Sequence, residues 1–190
     1  KMLSPGVEIQ TLYGATEALP VAMIGSAEVL GETAAKTAEG RGVCVGRPVP
    51  GVEMSVIRIV DGAIAAWSDS LRARRGEVGE IVVKGPMVSR EYFRRDEAAA
   101  LAKIPDGAAI RHRMGDLGHI DEKGRLWFCG RKSHRVRTQE GELYTLPVEG
   151  VFNAHPDVKR TALVGVGRDP VLCVDYRERH LRQHLLVHVA

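Results

Sequence analysis

From Val43 to Phe128 this chain is written largely in strands. The run Val52-Glu53-Met54-Ser55-Val56-Ile57-Arg58-Ile59-Val60 alternates, and alternation places successive side chains on opposite faces of an extended backbone. Asp61-Gly62 follows it as a hairpin turn signal. Ile81 to Val83 is a short apolar strand. Leu126 to Cys129 is another, entered through the turn Glu122-Lys123-Gly124. One helix interrupts the pattern: Asp96 is a good N-cap for Glu97 to Lys103, and Pro105 lies beyond its end. This middle part is expected to fold as a small antiparallel barrel or sheet.

The flanks differ. Val7, Ile9 and Thr11 alternate and predict a first strand, followed by Leu12-Tyr13-Gly14-Ala15-Thr16-Glu17 and a second apolar stretch, Leu19 to Ile24. Residues 32–39 are rich in Ala and Glu and predict a short helix ended by Gly40. At Gly130 the composition changes, and residues 130–137 are basic and polar. Pro147 opens a predicted helix with Val148, Val151 and Phe152 on one face. Strands at Ala162 to Val166 and Val171 to Val174 complete a βαβ-like unit, with a linker near Gly130.

The chemistry sits in four blocks. In the first, an aromatic ring, a flexible backbone, a hydroxyl and a carboxylate (Tyr13-Gly14-Ala15-Thr16-Glu17) emerge together at a predicted strand end, where open α/β sheets bind ligands. The others are Gly79-Glu80-Ile81-Val82-Val83-Lys84-Gly85-Pro86 running to Tyr92, Arg113-Met114-Gly115-Asp116-Leu117-Gly118, and Gly124-Arg125-Leu126-Trp127-Phe128-Cys129-Gly130-Arg131-Lys132. In this order and spacing they resemble the adenylate-forming superfamily of acyl-CoA ligases, luciferases and peptide-synthetase adenylation domains. A narrower resemblance rests on Ala15, Gly31-Glu32-Thr33-Ala34-Ala35 and Gly141-Glu142-Leu143-Tyr144-Thr145-Leu146-Pro147. Those segments are similar to the β-lactone synthetases of bacterial long-chain olefin biosynthesis.

The resemblance implies an α/β fold: the end of a large adenylate-forming domain with a β-rich, barrel-like subdomain, then a small α/β lid. Residues 1–40 would end the nucleotide-binding α/β subdomain, 41–129 form the β-rich subdomain, and 130–190 supply the hinge and an incomplete small domain. The resemblance also implies roles. Tyr13 stacks on adenine, with Gly14 in the same nucleotide loop; Thr16 bonds the α-phosphate; Glu17 contacts magnesium; Asp116 binds the ribose hydroxyls; Arg131 reaches the nucleotide at the domain junction. The cofactors implied are ATP/AMP and Mg2+, and the implied substrate is a β-hydroxy fatty acid, in possible assembly with other olefin-pathway enzymes. Each residue also has a plainer reading: a core tyrosine for Tyr13, a surface turn carboxylate for Glu17, an Asx turn after Gly115 for Asp116.

The chain departs from the superfamily at Met114, where threonine is common, and at Ser133, where many relatives carry Asp or Lys at the hinge. The glycine-rich loop of CoA-using relatives is reduced to Gly141 within Gln139-Glu140-Gly141-Glu142, which favours chemistry without CoA. The upstream phosphate loop and the downstream lysine of the family are not in this sequence. A chain opening on Lys1 is expected to be part of a longer protein and inactive by itself.

A net charge of +3 does not argue for nucleic acid or a membrane surface. Basic clusters occur at Arg72-Ala73-Arg74-Arg75, Arg94-Arg95 and Arg131 to Arg137, but few aromatics interleave them as single-strand platforms require. Cys44, Cys129 and Cys173 lie far apart and form no C-x-x-C, so a disulfide framework or zinc knuckle is not expected and a reducing compartment fits. Cys129 reads as a small buried hydrophobe. No run approaches the ~18 apolar residues of a spanning helix, and the cytoplasm is the default. His180, His184 and His188 fall four apart, a helical metal-site spacing, although Val187-His188-Val189 reads as a strand. The readings left open are a β-lactone-forming enzyme, an acyl-CoA ligase, and a nucleotide-binding or interaction module without catalysis.

Overall fold

A computed structural model describes Ser4, residues 6–177 and residues 187–188 of the chain. Strands β1 (Gln10–Ala15) and β2 (Ala18–Gly25) form an antiparallel hairpin that turns at Thr16-Glu17. A helix follows in three segments: α1 (Ser26–Glu28), a π-helical stretch Val29–Thr33, and α2 (Ala34–Ala38). Then come β3 (Val43–Pro48), β4 (Glu53–Ile57), β5 (Gly79–Lys84), α3 (Asp96–Ala102), β6 (Lys103–Asp106), β7 (Ala109–Ile120) and β8 (Leu126–Arg131). These strands join in the order β1-β2-β3-β8-β7-β5-β4, with β6 added beside β7, and every pairing is antiparallel.

β7 organises the sheet. Its first half pairs with β6, its second half with β8, and its opposite edge with β5. β5 is accordingly buried on both faces, which explains why Ile81, Val82 and Val83 form a continuous apolar run rather than an alternating one. On one face Val83 and Ile81 meet Tyr13, Val21, Ala22, Met114 and Leu126. On the other, Val82 meets Ile57, Ile64 and Ile104. Trp127 packs with Ile24 and Cys44 beneath the first helix.

The small unit after β8 opens with the hairpin of β9 (Val136–Arg137) and β10 (Glu142–Leu143). Helix α4 (Thr145–Asn153) follows, then β11 (Val158–Val166), β12 (Asp169–Tyr176) and β13 (Val187–His188), all antiparallel. Val148 and Phe152 of α4 cover Val136, Leu163 and Leu172. Val151 instead faces the end of the first helix: a Cβ on Gly40 would lie 3.0 Å from its Cγ2.

Of the two forms expected for the middle part the sheet is the one found, open with β1 and β4 at its ends. Other expectations are corrected. Val7 and Ile9 precede the first strand and are each 53% exposed, because the hairpin register starts at Gln10, which pairs with Gly25. The first helix begins at Ser26, not near residue 32. Asp61-Gly62 is not a hairpin turn, since β4 waits for β5 as its partner. The intervening chain lays Ile64, Trp67 and Leu71 over the second core face. Asp96 is the first helical residue, and Arg95 caps without a side-chain bond. The small unit is not βαβ: β11 and β12 are joined through Gly167 and Arg168 alone, too short for a parallel crossover. His180 and His184 lie outside the described residues, and the backbone of His188 is in a strand. The three cysteines are free, and burial pushes the Cys129 thiol up to about 12. Among the described residues no helix is long and apolar enough to cross a membrane.

Candidate functional site

Strands β7 and β8 put Asp116 and Arg131 in register as cross-strand partners. Gly115 precedes Asp116 with φ +67°, a left-handed conformation that glycine adopts without strain. At this irregularity Asp116 turns toward β1, where the Tyr13 hydroxyl donates to its Oδ2 at 2.7 Å. Both residues are buried. Asp116 Oδ1 lies 3.0 Å from Arg131 Nη1 in an ion-pair contact. Apart from that contact the buried oxygen has no hydrogen-bond partner among the described residues. Burial holds the Asp116 carboxyl above its ordinary range, with the Tyr13 bond and the Arg131 charge pulling the other way. Burial and the neighbouring Asp116 also keep the Tyr13 phenol protonated.

Tyr13 thus satisfies the core-tyrosine reading and joins the site at once. Its ring packs obliquely on Phe128, centroids 5.9 Å apart, and its hydroxyl anchors Asp116. The Asx-turn reading of Asp116 fails, because the residue is inside a strand. Arg131 ends β8 with its side chain 56% exposed. It borders two cavities. One, of about 610 Å³, is lined by Asp61, Glu80, Arg113, Gly115, Lys132 and others. The second, of about 1080 Å³, runs from Phe128 and Gly130 to Thr145, Glu149 and Leu163 of the small unit.

The second half of the site is the β1–β2 turn. Gly14 enters it too tightly for a side chain: a Cβ would lie 2.6 Å from the Ala18 carbonyl oxygen. Thr16 is exposed at the tip. Glu17 Oε1 accepts from the Tyr92 hydroxyl at 2.8 Å, and its main-chain oxygen accepts from the Ser89 amide at 2.8 Å. The Tyr92 bond holds the Glu17 carboxyl below its usual range, so the group is ionised at neutral pH. Tyr13 and Glu17 are four residues apart on one hairpin, and ~3.3 Å per extended residue separates the two anchor points by about 13 Å at most. Among the described residues no three His, Cys, Asp or Glu side chains cluster to hold a metal. Glu17 offers a single carboxylate.

The sequence blocks did not expose the supports of this arrangement. Arg113 forms a two-point pair with Glu80 (Nε–Oε1 3.1 Å, Nη2–Oε2 2.7 Å) and donates to the carbonyls of Val60, Gly62 and Leu101. Lys132 reaches the same Glu80 at 3.0 Å and the Val60 carbonyl. Asp61 takes Arg135 at 2.8 Å and Arg137 at 2.6 Å, and these two bonds lower its carboxyl to about 2. The basic run after Gly130 is therefore partly neutralised across the linker rather than being a solvated face. The only sequence signal for these contacts was that Glu80, Arg113 and Lys132 fall inside the recognised blocks.

Residues 2–93 match the family model described as AMP-binding enzyme. Over 183 residues the chain is 50% identical to the olefin β-lactone synthetase of Xanthomonas campestris, covering 92% of this chain and 33% of that protein. It is 49% identical over the same share to the protein of that name from Stenotrophomonas maltophilia. Its fold superposes on the amide bond synthetase McbA of Marinactinospora thermotolerans with a TM-score of 0.67 at 30% identity, over 89% of this chain and 32% of that one. The chain thus spans about a third of the length of the relatives it matches. Fold and sequence together place this chain in the adenylate-forming, AMP-binding enzyme family.

Proposed function

We propose that the full-length protein carrying this chain activates a long-chain β-hydroxy acid with ATP as acyl-AMP and then closes it to a β-lactone. The observation that carries the nucleotide half is the buried Asp116 carboxylate. One of its oxygens is fixed by Tyr13 and the other has only the Arg131 ion-pair contact. A ribose hydroxyl is the donor that oxygen suits, and a hydrogen bond to an ionised acceptor is the strong kind. The lactone half is supported by the 50% identity to a protein named olefin β-lactone synthetase.

In this reading Tyr13 orients Asp116, its ring bordering the adenine, with Gly14 letting the hairpin close beside it. Asp116 accepts from the ribose. The exposed Thr16 hydroxyl donates to the α-phosphate, and the Arg131 fork reaches phosphate or ribose oxygens from the linker. Glu17 is ionised and has one oxygen unclaimed by Tyr92, which fits a hard cation that takes one or two carboxylates and completes its shell with phosphate oxygens and water. Magnesium there would offset the repulsion between a carboxylate substrate and the triphosphate. The carboxylate oxygen attacks the α-phosphorus, the Pα–O bond to the β-phosphate breaks, and pyrophosphate leaves. The substrate's own β-hydroxyl then attacks the acyl carbon, its proton passing to a base. The bond between the acyl carbon and the adenylate oxygen breaks, and AMP departs with that oxygen on its phosphate. A tethered hydroxyl has a high effective concentration, so no external thiol is needed.

The segments 1–40, 41–129 and 130–190 act in this proposal as nucleotide floor, β-rich subdomain and hinge with lid. Action in the cytoplasm alongside other olefin-pathway enzymes belongs to the same proposal. Product analysis tests it. A β-hydroxy fatty acid, ATP and magnesium should give AMP and a β-lactone with no CoA present. An acyl-CoA formed only on adding CoA, with no lactone in its absence, would replace the lactone half by the acyl-CoA ligase reading.

A further inference from the structure

We propose that Lys103 is a positioning residue for Glu17, acting through Ser89 and Tyr92, which makes β6 and the loop after β5 part of the magnesium-dependent machinery. The inference rests on the reading of Glu17 given above and extends it to Lys103, which lies outside the four sequence blocks.

Lys103 opens β6 and pairs across to His112 of β7, so the two side chains leave the sheet on the same side. It is a buried lysine, 6% exposed, without a carboxylate in ion-pair contact among the described residues. Instead its Nζ donates twice to one residue of the facing loop, to the Ser89 carbonyl at 2.7 Å and the Ser89 hydroxyl at 2.9 Å. The same ammonium lies 5.2 Å from the centroid of the Tyr92 ring. Both residues it grips in turn grip Glu17. The Ser89 amide donates to the Glu17 main-chain oxygen, and the Tyr92 hydroxyl donates to its Oε1. A single buried cation therefore holds the loop that fixes both ends of Glu17, its backbone and its carboxylate.

Burying an ammonium is costly unless it is well bonded, and here the bonds go to Ser89. Neutral His112 stands beside it, its Nδ1 against the Ala102 carbonyl at 3.2 Å, and burial lowers its pKa to about 4. His112 therefore adds no positive charge beside Lys103 and Glu17 at neutral pH. A carboxylate that must meet a cation and a polyphosphate in one orientation gains from such support, because loose side chains spend binding free energy on ordering.

The test uses the full-length protein and two measurements: the magnesium midpoint of ATP–pyrophosphate exchange, and calorimetric binding of ATP across a magnesium series. Lys103→Met and Tyr92→Phe should each raise the magnesium midpoint about tenfold, the size of one hydrogen bond to a charged group. Combining Tyr92→Phe with Glu17→Gln should add little to Glu17→Gln alone. Lys103→Arg, which keeps a donor, should recover part of the shift. Lys123→Met, which removes a lysine paired with Glu32 of the first helix at 2.9 Å, should leave the midpoint at the wild-type value. Should Lys103→Met fail to fold, Tyr92→Phe and Ser89→Ala decide the matter. A shift in Glu17→Gln with none in Tyr92→Phe or Lys103→Met overturns this inference and leaves Glu17 in place. A wild-type midpoint in Glu17→Gln overturns the Glu17 reading, and this inference with it.

Discussion

Replacing Asp116 with alanine is the most informative perturbation of the site, because it removes the group that joins three strands. The Tyr13 hydroxyl loses its acceptor at 2.7 Å while remaining buried, and an orphaned buried polar group costs ~1–3 kcal/mol of stability. Under the proposed assignment the ribose loses hydrogen bonds to a charged acceptor, about 1.5–3 kcal/mol of binding, or roughly 10- to 150-fold in the KM for ATP. ATP–pyrophosphate exchange in the full-length protein reads this directly, with a thermal melt to confirm folding at the assay temperature. Tyr13→Phe separates the two contributions, since it keeps the carboxylate and removes only its orienting bond; its effect on ATP should be smaller. Asp116→Asn adds a pH signature. The folded-state pKa of Asp116 is raised by burial, so the wild type binds that proton more tightly when folded. The stability this confers is full below the ordinary carboxylate pKa and is lost as pH rises through the raised value. The asparagine variant should therefore gain stability relative to wild type as pH rises across that window. An exchange rate in Asp116→Ala equal to wild type in a folded protein refutes the ribose assignment.

Arg113→Met should destabilise the protein by ~3–5 kcal/mol, since Glu80 and Arg113 are each only 3% exposed at the side chain and breaking a buried pair strands a charge. A loss under ~1 kcal/mol in the urea midpoint would show that Lys132 alone suffices for Glu80. Gly46→Ala should cost at least ~1–3 kcal/mol for backbone strain at φ +87°. It should cost more for the new Cβ, which would lie 1.8 Å from the Met23 carbonyl oxygen and force β2 and β3 apart. Denaturation overlapping wild type would refute the claimed closeness of that strand join.

Much of this molecule follows from the residues alone. The strands at Ile81 to Val83 and Leu126 to Cys129, the helix after Asp96, and the change of character at Gly130 are local: periodicity and turn chemistry act over a few residues. The four chemical blocks were legible for a similar reason, being contiguous and ordered. What the sequence did not determine is partnership. Asp61-Gly62 carries hairpin chemistry, yet β4 pairs with β5 because the other sheet face needed Ile64 and Trp67 as cover. Tyr13 and Asp116 are 103 residues apart, and nothing local says that a core tyrosine orients a site carboxylate. Ser89 and Tyr92 reach Glu17 from one loop, and Lys103 of β6 holds that loop. Such contacts are set by the burial of whole faces and the register of β7, which are properties of the packed sheet and have no signature within any single segment.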